Sequence, residues 1–170
     1  MQYENVIFPD SVGFLCRNCG TCCREQPPDI SFKEQQRIQN AGYKNFMQEP
    51  SAPKNRNLRR NKDGSCFFFS KQNTCKINYI KPSICILEPF VIADFDYSSN
   101  KIFLKLNPRA AKNCKGILAM PGGNVAIAEI GKAAQSIVQD VLEIVGEKTG
   151  LPVTDKKVGV LTRKLLGESK

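Results

Sequence analysis

The chain has 170 residues, 41% of them apolar, with 25 Lys and Arg against 16 Asp and Glu and a formal net charge of +9. That length suits one domain with a real core. No apolar run is long enough to span a bilayer, and Met1 to Ser11 lacks the basic-then-apolar layout of a secretion signal. The sequence therefore predicts a cytoplasmic protein with no membrane contact.

Eight cysteines in a reducing compartment read as metal ligands rather than as four disulfides. Histidine is absent, which removes Cys2His2 zinc, Rieske centres and every His-based catalytic dyad. A sulfur-dominated shell points to zinc, copper(I) or iron–sulfur. The basic excess is local. Residues 51–82 carry +7, whereas 1–50 carry −1, 83–123 carry +2 and 124–170 carry +1.

In chain order, the first feature is the run Cys16-Arg-Asn-Cys19-Gly-Thr-Cys22-Cys23, in which Gly20 lets the backbone turn between ligands. After the breaker Pro27-Pro28, Ser31 and Glu34 form a capping box that predicts a helix over 32–40, stopped at Gly42. Residues 43–49 fit a further short turn. Residues 50–65 lack any hydrophobic period. Lys54, Arg56, Arg59, Arg60 and Lys62 make the 54–62 stretch a basic loop suited to an acidic protein partner. With no interleaved aromatics, nucleic acid is disfavoured.

Two hairpins follow. Phe67-Phe68-Phe69, a turn at 70–73 and Cys75-Lys76-Ile77 predict the first, with Cys66 and Cys75 at its base. Strands over 90–97 and 101–106 flank the turn Ser98-Ser99-Asn100, within which the midpoint of Cys85 and Cys114 falls. The second hairpin is thus expected to carry Cys85 and Cys114 to one end. Asp94 and Asp96 project from it as solvated carboxylates. Beyond Pro121-Gly122-Gly123, the residues Ile127, Ile130, Ala134, Ile137, Val138, Val141 and Val145 share one face of a helix near 125–148. A weaker helical pattern runs from Val158 to Leu166.

The expected fold is α+β: a small cysteine-rich domain with two β-hairpins around a metal centre, a helix near 32–40 and a long amphipathic C-terminal helix near 125–148. Its divisions are 1–123, the metal-binding domain, and 124–170, a helical extension packed on it. Three thiolates from C-x2-C-x2-C can wrap one centre, and adjacent Cys22 and Cys23 diverge, so they serve different sites or one is not a ligand; eight cysteines suffice for two four-coordinate sites, the alternative being one cluster with spare cysteines for redox or transfer chemistry. The candidate ligands are Cys16, Cys19, Cys22, Cys23, Cys66, Cys75, Cys85 and Cys114. They would hold an iron–sulfur cluster, [4Fe–4S] in type, or zinc. Phe67, Phe68, Phe69 and Phe90 would pack as core or exclude water from the centre.

The cysteine run, Cys66-Phe-Phe-Phe, Cys75-Lys-Ile-Asn-Tyr79, Ile80-Lys81-Pro82-Ser-Ile-Cys85 and Asn113-Cys114-Lys-Gly116 together resemble the YkgJ-type cysteine cluster proteins, over about 13–118. Family members carry Arg before that Pro and Arg after the following Cys; Lys81 and Ile86 stand there instead. The aromatic–Pro order also differs at Glu88-Pro89-Phe90. The resemblance implies a metal-binding domain, with members labelled zinc-binding or iron–sulfur oxidoreductases and a related pattern in flagellin lysine N-methylases. The expected roles are electron transfer, or assembly and activation of a partner metalloenzyme. The alternatives are a zinc-stabilised interaction module and a lysine methylase-like enzyme. Neither a Gly-rich cofactor loop nor an acid–base pair is evident.

Overall fold

The computed structural model describes residues 5–10, 12–25, 28–48, 56–118 and 127–167. Their architecture is mixed α and β. A hairpin dominates the sheet. Strand β3, Phe90–Asp96, pairs antiparallel with β4, Lys101–Leu106, through registers from Phe90↔Leu106 to Asp96↔Lys101. A bulge between Ile92 and Asp94 shifts the register. Asp96 closes the turn by accepting from the Ser98 N–H, the Ser98 hydroxyl and the Ser99 hydroxyl, while Asn100 takes φ +52°. Asp94 also works locally: its carboxylate accepts from the Phe95 N–H and faces Arg163 at 3.8 Å.

A short strand β1, Val6–Ile7, joins β4 in parallel, with Val6 opposite Ile102. A second pair, β2, Gly13–Phe14, and β5, Ile117–Leu118, is antiparallel. Two long helices cover the hairpin. Helix α5, Ile127–Thr149, packs on α3, Ser83–Leu87, and helix α6, Lys156–Gly167, lies on β3 and α5. The 3.6-residue apolar period explains α5, because it places Ile130, Ala134, Val138 and Val145 in one buried apolar cluster. α6 approaches so closely at Gly159 that a Cβ there would overlap the Tyr97 ring.

Buried residues sort into two clusters. The first holds Phe90, Phe95, Ile102, Leu104, Ile130, Ala134, Val138 and Val158, with Phe8 and Phe14 edge-on to Phe90. The second holds Ile30, Ile38, Phe46, Leu58, Cys66, Phe68 and Ile77. Its one long helix, α2, spans Phe32–Asn40. There the capping box forms: the Glu34 N–H donates to the Ser31 hydroxyl, and the Ser31 N–H to Glu34 Oε2. Gly42, at φ +91°, lies just past its end.

The stretch from Cys66 to Cys75 departs from the expected hairpin. Cys75 faces Phe69 across a single bridge, Cys66 instead faces Arg60, and no longer ladder forms. Ser70 explains why the chain turns so early. Its N–H donates to the Thr74 carbonyl, and its hydroxyl accepts from the Gln72 and Thr74 N–H groups. A side chain that captures nearby backbone donors competes with strand pairing. The expected division near residue 123 falls outside the described residues, as do Pro27, Lys54 and Pro121-Gly122-Gly123.

Candidate metal centre

The four cysteines of the first run leave β2 on an irregular segment and enter a short helix α1, Thr21–Glu25, that carries Cys22 and Cys23. Two left-handed residues shape the approach, Asn18 at φ +50° and Gly20 at φ +72°. Glycine is needed at the second position twice over, since an added Cβ would overlap the Phe69 ring. Arg24 fixes the same corner. Its guanidinium lies 4.7 Å over Phe69 and donates to the Cys19 carbonyl and to Asn73 Oδ1.

The other four arrive on separate elements. Cys66 and Cys75 come from the turns of the second cluster. Cys85 sits on α3, and Cys114 caps α4, Pro108–Asn113. Strands β3 and β4 thus bring Cys85 and Cys114 to one end through two short helices, not as paired strand residues. All eight cysteines line a single cleft of about 1120 Å³, together with Phe14, Phe69, Ile84, Ile86, Lys81 and Glu88.

Local chemistry differs around the cleft. The Thr21 hydroxyl, 3.3 Å from Cys19 Sγ, and the Thr21 N–H hold that thiol below its ordinary value. Burial pushes Cys66, Cys75, Cys85 and Cys114 up, with neighbouring thiolates adding to the effect and Lys81 opposing it at Cys75. Cys22 is raised by its hydrogen bond with the Cys23 thiol first, then by desolvation and the charges of Cys23, Glu88 and Cys19. Gathered thiolates repel one another, and a metal cation reverses that penalty by binding the deprotonated form.

The donor set fits a thiophilic metal, being eight sulfurs without a histidine. Among the described residues, no three Cys, Asp or Glu side chains are already grouped tightly enough to enclose a metal ion.

A family model described as "CxxCxxCC: Putative zinc- or iron-chelating domain" matches residues 15–114, well over half of the chain. The chain belongs to the CxxCxxCC family. No curated protein and no solved structure matches it. All eight cysteines fall inside the matched span, which joins the cleft to the metal chelation in the family's description.

Within this CxxCxxCC domain the expected water-excluding aromatics divide. Phe68 and Phe69 reach the cleft wall, while Phe90 is buried in the first cluster and Phe67 lies beneath Arg59 at 4.5 Å. The basic loop also has structural uses. Arg56 lies 5.3 Å over Phe32, and Arg60 donates to the Gly64 carbonyl. Two carboxylates escape sequence reasoning. Glu34, beyond its cap, accepts from the Ser83 N–H at 2.6 Å, tying α2 to the start of α3. Glu88 faces the cleft, raised by burial and hydrogen-bonded by Asn107 at 3.2 Å. Its proximity to Cys22 leaves no local sequence signal. Among the described residues no helix is long and apolar enough to cross a membrane.

Proposed function

We propose that the cysteines hold an iron–sulfur cluster of the [4Fe–4S] type, with which the protein passes electrons to a partner metalloenzyme or helps assemble or activate it. The observation carrying this reading is the convergence of all eight cysteines on one cleft. A zinc tetrahedron needs four sulfurs within about 2.3 Å of one point. A cluster distributes its thiolates over several irons, which suits a cleft lined by eight cysteines from separate elements. The cluster would supply one-electron chemistry. Phe69, Ile84 and Ile86 would limit water around it, and hydrogen bonds such as that from Thr21 would tune its sulfurs. Such thiolates need a reducing compartment, in keeping with the cytoplasm. An acidic protein partner would dock on the basic segment, where Lys62 is exposed.

A second reading, a zinc-stabilised interaction module, draws on the second cluster. Cys66 is buried there, and Cys23 and Cys75 pack against it, as structural zinc ligands often do. Anaerobic purification separates the two. Broad visible absorption with iron and acid-labile sulfide is the expected result. Colourless protein holding stoichiometric zinc overturns it. Cys19→Ser should lower the metal content, and full retention would remove Cys19 from the ligands.

A further inference from the structure

Two side chains of α2 hold the backbone that leads into Cys85. Glu34 and Arg37 stand three residues apart, a spacing that puts both on one helix face. Arg37 donates to the Lys81 carbonyl at 3.0 Å and to the Ile80 carbonyl at 3.5 Å. Glu34 Oε1 accepts from the Ser83 N–H at 2.6 Å. The chain from Ile80 to Ser83 is thus gripped by a donor and an acceptor of one helix, and Cys85 follows.

Helix α3 needs such a grip. It has five residues, and its N-cap Pro82 makes no side-chain cap hydrogen bond. A helix start leaves backbone N–H groups without intrahelical partners, and so short a helix is marginal by itself. Its far end is anchored by Leu87, 1% exposed in the first apolar cluster. Its near end is anchored by Glu34, from 49 residues away. The direction in which α3 presents Cys85 to the cleft therefore depends on both.

The capping box does not account for all that Glu34 does. The box uses Oε2, which accepts from the Ser31 N–H at 2.9 Å, and an exposed Glu could complete it equally well. Glu34 is instead 8% exposed, with its second oxygen committed to α3. Burying a carboxylate is costly unless its oxygens are hydrogen-bonded, as both are here. Its charge also reaches the site. Burial acts first on the Cys85 thiol, followed by the charges of Cys66, Cys22 and Cys75, and then by that of Glu34.

We infer that Glu34 is a positioning residue for Cys85, setting from α2 where that sulfur stands on the cleft and placing a fixed negative charge near it. This rests on the iron–sulfur reading above and deepens it. A negative charge near a ligand sulfur opposes the gain of an electron, so Glu34 holds the potential of the cluster down.

The test uses the full chain purified anaerobically. Iron and sulfide are quantified, the reduction potential is measured, and alkylation of each thiol is followed by mass spectrometry. Glu34→Gln keeps an oxygen for the Ser83 N–H without the charge. It should retain its iron and shift the potential to a more positive value. Glu34→Ala should hold metal about tenfold less tightly against a chelator. Its Cys85 should alkylate faster, with Cys16 and Cys114 little changed. Ser31→Ala weakens the cap of α2 but leaves the bond to Ser83, so iron, potential and Cys85 should stay as in wild type. Equal iron loss in Ser31→Ala and Glu34→Ala overturns the proposal, because Glu34 would then act through the stability of α2 alone. An unchanged potential in Glu34→Gln overturns it too. Colourless wild-type protein holding zinc would sink the iron–sulfur reading instead. Alkylation of Cys85 in Glu34→Ala would then decide the placement, faster reaction upholding it and an unchanged rate ending it.

Discussion

The two apolar clusters are built by different means. The first is made by regular structure: a hairpin, a parallel third strand and two long helices whose apolar periods meet. The second, within residues 28–80, has among its described residues one α-helix of nine residues, a 3-10 turn at Asn78–Ile80 and otherwise isolated bridges and turns. It is held by side chains instead. Tyr43, Phe46 and Phe67 pack on the Phe68 ring at centroid distances of 5.1 to 5.5 Å, and arginines cover Phe32, Phe67 and Phe69. A region with few ladders has little local cooperativity to fall back on. It is also the region into which Cys66 and Cys75 are set. Under the metal binding proposed above, the metal would supply there what backbone pairing supplies in the larger cluster.

Truncating Phe68, 1% exposed, should give the largest effect. Phe68→Ala is expected to lose about 3–5 kcal/mol of stability and to lower metal occupancy. Hydrogen exchange should quicken across 56–80 while 90–106 and 127–149 stay slow. Uniform quickening would dissolve the contrast between the two clusters. Phe95→Ala, equally buried, should cost as much but be felt across the hairpin and α6.

Next come two close approaches of glycine, one on each side. Gly20→Ala drives a Cβ into Phe69 and strains a left-handed residue, so a loss of about 1–3 kcal/mol with weakened metal binding is expected. Gly159→Ala drives one into Tyr97. The cost should be similar, less the gain of about 1 kcal/mol from better helix propensity, with metal content unchanged. Equal metal loss from both variants, measured by elemental analysis, would mean that the two sides are not separable.

Ser31→Ala removes the cap of α2 and should cost about 1 kcal/mol in denaturant melts. The smallest effect is a titration. Ser99 and Ser98 hydrogen bonds lower Asp96 from 3.8 to about 2, so its contribution to the hairpin turn is present above pH 3.8 and is lost as pH falls through 2. In Ser99→Ala the NMR-observed value should climb back towards 3.8. No change would mean that the turn, not the hydroxyl, sets it.

Much of the fold was legible where its signals are local. Ser31 and Glu34 announce α2, and the spacing of Ile130, Ala134, Val138 and Val145 announces α5. The alternation at 90–106 gave the hairpin. Short α1, α3 and α4 left no period to detect, and the parallel pairing of β1 with β4 joins residues nearly a hundred positions apart. The cysteines could be counted and their candidacy argued. Their gathering on one cleft could not, because it depends on contacts such as Glu34 reaching Ser83 and Asn113 reaching Glu25, between residues 49 and 88 apart.

The same long separation has a biosynthetic side. Cys16 and Cys114 are placed together by the β2–β5 pairing, yet the ribosome delivers them 98 residues apart. At about 5–20 residues per second, Cys16 waits roughly 5–20 s before Cys114 has been made. Strand β1 waits almost as long for β4. During that interval four closely spaced thiols have no folded cleft around them. A complete cleft is therefore formed only late in synthesis, and metal captured earlier would be held by a subset of the final ligands.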